Sequence, residues 1–243
     1  MYLSYQDIEE IAEAVMDEFN AFFFGNDPRG KIPHATPIDQ FARDFLKLDV
    51  RVERLCSDSS ISGVTAYSDT ELHTTIFGYP VCIPLSQNEV IIDIEFIQPG
   101  NVQRLCGKRR FTLAHECAHQ ILFQMESDEG KAACRRQYSD KRSYTAKELK
   151  SKEDWNEWQA NVLGAAILLP RKGVSEAARA LLKGRRIISA YGKFTRRDRE
   201  VIYEIADYFR ASPQAVAIRL ERLGFIYDRT LEDMENQRLE GYA

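Results

Sequence analysis

The sequence predicts an α+β fold: a zincin-like HExxH core with a small mixed sheet, then a C-terminal helical subdomain. Three observations predict it. Apolar residues at helical spacing flank the pentapeptide HECAH at His115 to His119. Strand-like alternation recurs between Asp49 and Phe96. Residues 197–223 read as helix, tight turn, helix. The chain has 243 residues and 44% apolar content, enough for one substantial core and a small appendage. The expected division is 1–170 for the core domain and 171–243 for a helix-turn-helix-like subdomain packed on it.

A formal net charge of −4 gives no global nucleic-acid footprint. The five cysteines, Cys56, Cys82, Cys106, Cys117 and Cys134, are odd in number and include no C-x-x-C pair. That pattern suits free thiols in a reducing cytoplasm better than a disulfide framework. The N-terminus lacks a signal-peptide pattern, and no run of about 18 apolar residues exists, so a cytoplasmic chain without a membrane span is expected.

Along the chain, Ser4 caps a first helix, with Asp7 in its first turn and a stripe at Ile8, Ile11, Ala12, Val15 and Phe19. Residues 26–33 form a Gly/Pro loop. Thr36 and Pro37 then read as cap and first residue of a second helix, with Phe41, Ala42, Phe45 and Leu46 inward. His34 precedes it as a surface residue. Asp49 to Leu55 is the first strand; Ser62 to Tyr67 and Leu72 to Phe77 read as a pair; Tyr79 to Leu85 and Val90 to Phe96 follow. His73 faces outward. The last stretch, with Val90, Ile92 and Ile94, is expected as an edge strand that receives an extended peptide through main-chain hydrogen bonds, or else as an ordinary sheet strand.

The HECAH segment carries the chemistry. Positions i and i+4 share a helix face, so His115 and His119 reach one metal ion. Glu116 is too close along the helix to be a comfortable third ligand and is placed to act as a base toward water. Phe111, Leu113, Ala114, Ala118, Ile121 and Leu122 make the helix mostly buried, a setting where unpaired imidazoles are expensive. Cys117 is rotated about 200° from His115 and points into the core.

Asp154 to Pro170 reads as another helix, capped by Asp154 and stopped by Pro170. Glu157 and Asn161 share a face. By spacing alone Glu157 is either the third ligand or a solvent-facing carboxylate favoured by the helix dipole. Asn161, one turn on, is placed to hydrogen-bond a ligand. The charged stretch between, 125–153, reads as a solvated insertion, or as a lid whose Tyr138 or Tyr144 contacts the oxyanion or the substrate.

The helical C-terminal third carries Val201, Ile202, Ile205 and Phe209 at helical spacing, then Ser212 and Pro213 opening a short helix that Gly224 ends. Arg185, Arg186, Arg196, Arg197, Arg199, Arg219 and Arg222 make it locally basic. The second helix has few residues suited to reading base edges, so direct DNA binding is not expected. The acidic tail 228–243 is expected to fray.

RRFTLAHECAH (Arg109–His119) followed by EWQANVLGAAILLP (Glu157–Pro170) resembles the ImmA/IrrE family of metallopeptidases. The family pattern is roughly RFTLAHELGH, a variable gap, then ExxAN and a small apolar run ending in LLxP. The resemblance implies that His115, His119 and Glu157 hold one Zn2+ per chain and that Glu116 is the catalytic base. It implies an endopeptidase acting on a protein substrate, typically a helix-turn-helix repressor, in an anti-repressor role. Cys117 and Ala118 depart from the family's Leu-Gly, at positions that do not face the metal. The gap before Glu157 is long and polar. The rival reading is a non-proteolytic regulator that binds DNA or a partner protein through its C-terminal unit; an intact Glu116 weighs against it, since a structural metal site needs no base.

Overall fold

The computed structural model describes residues 2–25, 32–132, 153–190 and 192–229. They belong to two compact units, Met1–Leu168 and Leu169–Ala243. Elements of both kinds give an α+β chain.

Helix α1 (Tyr5–Phe24) starts at a capping box: Asp7 N–H donates to Ser4 Oγ (3.2 Å) and Ser4 N–H to the Asp7 carboxylate (2.8 Å). Its buried positions are Ile8, Glu9, Ala12, Met16 and Phe19, while the expected Ile11 and Val15 are only half-buried. The stripe is rotated because Phe19 packs edge-on against Phe41 and Phe45, with centroids at 5.2 and 5.6 Å. Helix α2 (Ile38–Gln40) runs directly into a π-turn, Phe41–Phe45. Thr36 does not cap it. The Thr36 hydroxyl instead donates 2.7 Å to the carbonyl of Ile167, a buried tie that wins over the local cap.

Strands β1 (Asp49–Glu53), β2 (Gly63–Thr65) and β5 (Glu89–Asp93) form a mixed sheet in the order β1-β5-β2. The β1–β5 pair is parallel, Val50 opposite Val90; the β2–β5 pair is antiparallel, Val64 opposite Ile91. Two sequence expectations are corrected here. Strand β5 is central and buried along its whole length, so Val90 and Ile92 face no free edge, and Ile94 has already entered a 3₁₀ turn. An unbroken apolar run is the mark of a strand covered on both faces, not of an edge. The stretch 62–67 also pairs with β5 rather than with Leu72–Phe77. Strand β3 (Thr70–Ile76) pairs instead with β4 (Tyr79–Leu85) in antiparallel register. The reason is local: Phe77 and Gly78, at φ 51° and 85°, make a two-residue turn whose twist matches the strands. Leu72, Ile83 and Leu85 of the hairpin enter one cluster with Leu55, Ala66 and Ile91.

Helices α3 (Asn101–Arg104), α4 (Cys106–Met125) and α5 (Glu153–Leu168) complete the first unit. Gln120 of α4 donates to Thr65 Oγ1 (2.7 Å) and to the Ala66 carbonyl (2.9 Å), tying the helix to β2 and the residue after it.

The second unit contains α6 (Arg171–Leu182), α7 (Arg196–Phe209) and α8 (Pro213–Arg222). It also has a sheet that the sequence reading missed: β6 (Ile187–Ala190), β7 (Lys193–Phe194) and β8 (Ile226–Arg229), in the order β7-β6-β8. These strands of two to four residues are too short to show alternation. Thr195 caps α7 through Asp198 N–H (3.2 Å), and Ser212 caps α8 through Ala215 N–H (3.1 Å). Val201, Ile202, Ile205 and Phe209 are buried. Arg219, one of the arginines that make this region locally basic, is 3% exposed and donates its Nε–H to the Leu169 carbonyl at 2.9 Å. No helix among the described residues is long and apolar enough to cross a membrane.

Candidate metal centre

Helix α4 has no side-chain cap and carries almost all its functional groups inward. It is held at its start by two arginines. Arg110 donates 2.7 Å to the Thr36 carbonyl, and Arg109 pairs bidentately with Asp39, one contact being 3.0 Å. The Arg109 guanidinium holds the Asp39 carboxyl below the ordinary carboxylate range. Since Thr36 in turn binds the Ile167 carbonyl, the 36–39 segment links the start of α4 to the end of α5.

The two helices meet at Gly164. A Cβ there would lie 3.0 Å from the His115 backbone nitrogen and 3.1 Å from the Ala114 carbonyl oxygen. No side chain fits, so the α5 backbone crosses α4 at the first histidine itself. That close approach brings Glu157, almost two turns earlier on α5, over the face of α4 that bears His115 and His119.

The result is a three-donor cluster. Glu157 places one carboxylate oxygen 3.2 Å from His115 Nε2 and the other 3.2 Å from His119 Nε2; the two Nε2 atoms are 3.0 Å apart. The remaining two sequence-predicted residues join it. Glu116 is buried beside the cluster, and Asn161 contributes a hydrogen bond that raises the His115 pKa. Trp155 and Trp158 stack at 4.8 Å on α5, and Leu3 N–H donates to Gln159 (2.9 Å), fixing the helix that carries Glu157. Cys117 faces the core, fully buried, as its rotation predicts, and burial pushes its thiol pKa up. His34 and His73 are exposed. Tyr138 and Tyr144 lie outside the described residues.

Charges within the cluster are strongly coupled. Burial opposes ionisation of Glu157, yet the two imidazoles that hydrogen-bond to it hold its pKa well below the carboxylate range. Burial also disfavours charge on His115, but Glu157 and Glu116 reverse the balance and raise its pKa. Glu116 is pushed up by burial, with His115 and His119 opposing. His115 Nδ1 is buried without a hydrogen-bond partner among the described residues.

The donor set fits a small divalent cation. Bonds of about 2.1 Å at tetrahedral angles require ligand atoms about 3.4 Å apart. The observed separations of 3.0–3.2 Å are already close to that. Ca2+ prefers six or more oxygen ligands at about 2.3–2.6 Å, which two imidazoles do not offer.

Sequence reasoning missed Gly63. A Cβ on it would lie 2.6 Å from Thr112 Cγ2 and 2.9 Å from Glu116 Oε1, so the edge strand β2 passes directly over the Glu116 carboxylate. A glycine at the start of a strand was the available signal, because it marks close approach of another group to the backbone.

Residues 107–221 match the family model described as IrrE N-terminal-like domain, Peptidase_M78. No curated protein matches the chain significantly. A solved structure of a Mycobacterium tuberculosis transcriptional regulator is similar over 90% of this chain, at 14% identity and a TM-score of 0.44. The match takes in 47% of that protein, so the chain spans about half of its length.

Proposed function

From the match of residues 107–221 to the IrrE N-terminal-like peptidase model, we propose that this chain is a zinc-dependent endopeptidase with a zincin-like core. The observation that carries the reading is the convergence of His115, His119 and Glu157 beside the buried Glu116. Two histidines and one glutamate leave a coordination position open, the mark of a catalytic rather than a structural site. Bound there, Zn2+ supplies a Lewis acid that polarises a carbonyl and acidifies water.

The chain's own residues do the rest. Glu116 accepts a proton from the water that attacks the scissile carbonyl and delivers it to the leaving amine. Burial raises its pKa and so makes it a stronger base toward that water than an exposed carboxylate. Asn161, one turn on from Glu157, is placed to hydrogen-bond a ligand residue. The edge strand β2 takes the place first given to β5: an extended peptide pairing with it would pass its backbone by Gly63 and the Glu116 carboxylate.

The family points to a protein substrate, a helix-turn-helix repressor whose cleavage relieves repression, in the cytoplasm. The rival reading, a DNA-binding regulator, loses support from α8. Arg219 is buried, and the exposed residues Gln214, Ile218, Glu221 and Arg222 include one cation. Zinc analysis of His115→Ala and His119→Ala tests the site. Each variant is expected to lose stoichiometric zinc; full retention by both would sink the assignment.

A further inference from the structure

A second cluster of metal-ligating side chains lies far from α4 in chemistry and in sequence. Strands β3 and β4 pair with His73 opposite Cys82. Glu71 is two residues before His73, so its side chain projects from the same face. Directly opposed residues on an antiparallel pair have Cβ atoms about 4.5–5.5 Å apart, which a His and a Cys side chain close onto one point. The donor atoms of Glu71, His73 and Cys82 do lie within 4.8 Å of one another, with the Glu71 carboxylate 3.5 Å from His73 Nε2.

The geometry is locked from the other side of the hairpin. Leu72, Ile83 and Leu85 point into the core cluster with Leu55, Ala66 and Ile91. A slip of one residue would bring those three to the surface, so the register is fixed and the donors are fixed outward. The two-residue turn at Phe77 and Gly78 holds the strands together. All three donors are exposed, so a cation has an open path.

We propose that the outer face of the β3–β4 hairpin is a second metal site, taking a borderline cation of the Zn2+ class through Glu71, His73 and Cys82. One thiolate, one imidazole and one carboxylate match the ligands such ions select, and hard oxygen-seeking cations do not take thiolate. Binding requires Cys82 to release its proton to solvent. Affinity therefore rises with pH, because the metal competes with a proton for the thiolate. Three protein donors leave a fourth position for water or for a donor from another molecule.

The test is Co2+ titration of the full-length metal-free chain, read by absorption and by equilibrium dialysis. Thiolate-to-cobalt charge transfer in the near ultraviolet reports a cysteine ligand, which His115, His119 and Glu157 do not offer, and the Cys82→Ser variant assigns it among the five cysteines. The wild type is expected to show this band, and Cys82→Ser to lose it together with one bound equivalent. His73→Ala is expected to weaken the band at equal Co2+. The band is expected to persist in the His115→Ala/His119→Ala variant, which separates this site from the α4 centre. Absence of the band in the wild type, or its survival in Cys82→Ser, overturns the proposal.

Discussion

The α-carbon of Gly63 rests against the carboxylate of Glu116, so closely that a methyl group at residue 63 would stand 2.9 Å from Glu116 Oε1. Edge strand and candidate base are therefore built as one unit. Gly63→Ala must push Thr112 and Glu116, or β2 itself, aside, and displacing a reacting group by about 1 Å can cost on the order of 100-fold in rate. Gly63→Ala is expected to bind zinc like the wild type and to lose about that much activity. Hydrolysis of a proteome-derived peptide library, followed by mass spectrometry, measures it. Unchanged turnover would mean that β2 does not border the reacting atoms.

Gly164 sets the distance between the two helices that carry the candidate ligands. Alanine there gains about 1 kcal/mol of helix propensity over glycine. It also forces a methyl group against the His115 nitrogen at 3.0 Å, and overpacking of this kind costs about 1–3 kcal/mol. The clash is expected to win. Gly164→Ala should lower the melting temperature and weaken zinc binding about 10-fold or more, because Glu157 moves away from both histidines. Stabilisation with unchanged zinc affinity would show that the helix contact yields freely.

Glu116 makes a pH-dependent prediction in the metal-free chain. Burial raises its folded pKa above the ordinary 4.5, so the folded state holds the proton more tightly than the unfolded one. The stability this gives is complete below pH 4.5 and is lost as pH rises through the raised value. Glu116→Gln cannot ionise and keeps it. Metal-free Glu116→Gln should therefore melt above the wild type at neutral pH, with the difference closing in acid. Equal melting at neutral pH would contradict the burial penalty.

In the second unit, Arg219 and Arg222 are expected to separate. Arg219→Ala leaves the Leu169 carbonyl without its donor and should cost about 1–3 kcal/mol, whereas exposed Arg222→Ala should stay within about 0.5 kcal/mol. Phe209→Ala, at a 2% exposed position, should cost about 3–5 kcal/mol. Chemical denaturation measures all three. Arg222→Ala proving as costly as Arg219→Ala would undo this reading.

The helix carrying His115, Glu116 and His119 was legible because its geometry is local: i, i+4 on one face needs no tertiary information. Glu157 was half legible, since its helix could be read but its distance from α4 could not. That distance depends on Gly164, whose role appears only when a second backbone lies against it. Strand order was not legible. Apolar patterning located the strands, and the unbroken run at Val90 to Ile92 marks a covered one, but it does not say which strands flank it. The burial of Arg219 was not legible, because its partner is a backbone carbonyl fifty residues away. Glu71, His73 and Cys82 became a cluster only through cross-strand register.

The central claim is that Glu116 is the base of a metal-dependent peptidase. The most direct measurement compares zinc content and peptide-library cleavage in the wild type and in Glu116→Gln, whose amide keeps the shape but accepts no proton. The prediction is equal zinc in both proteins, cleavage by the wild type, and at least a 100-fold loss in the variant. Cleavage by zinc-loaded Glu116→Gln at the wild-type rate would contradict it.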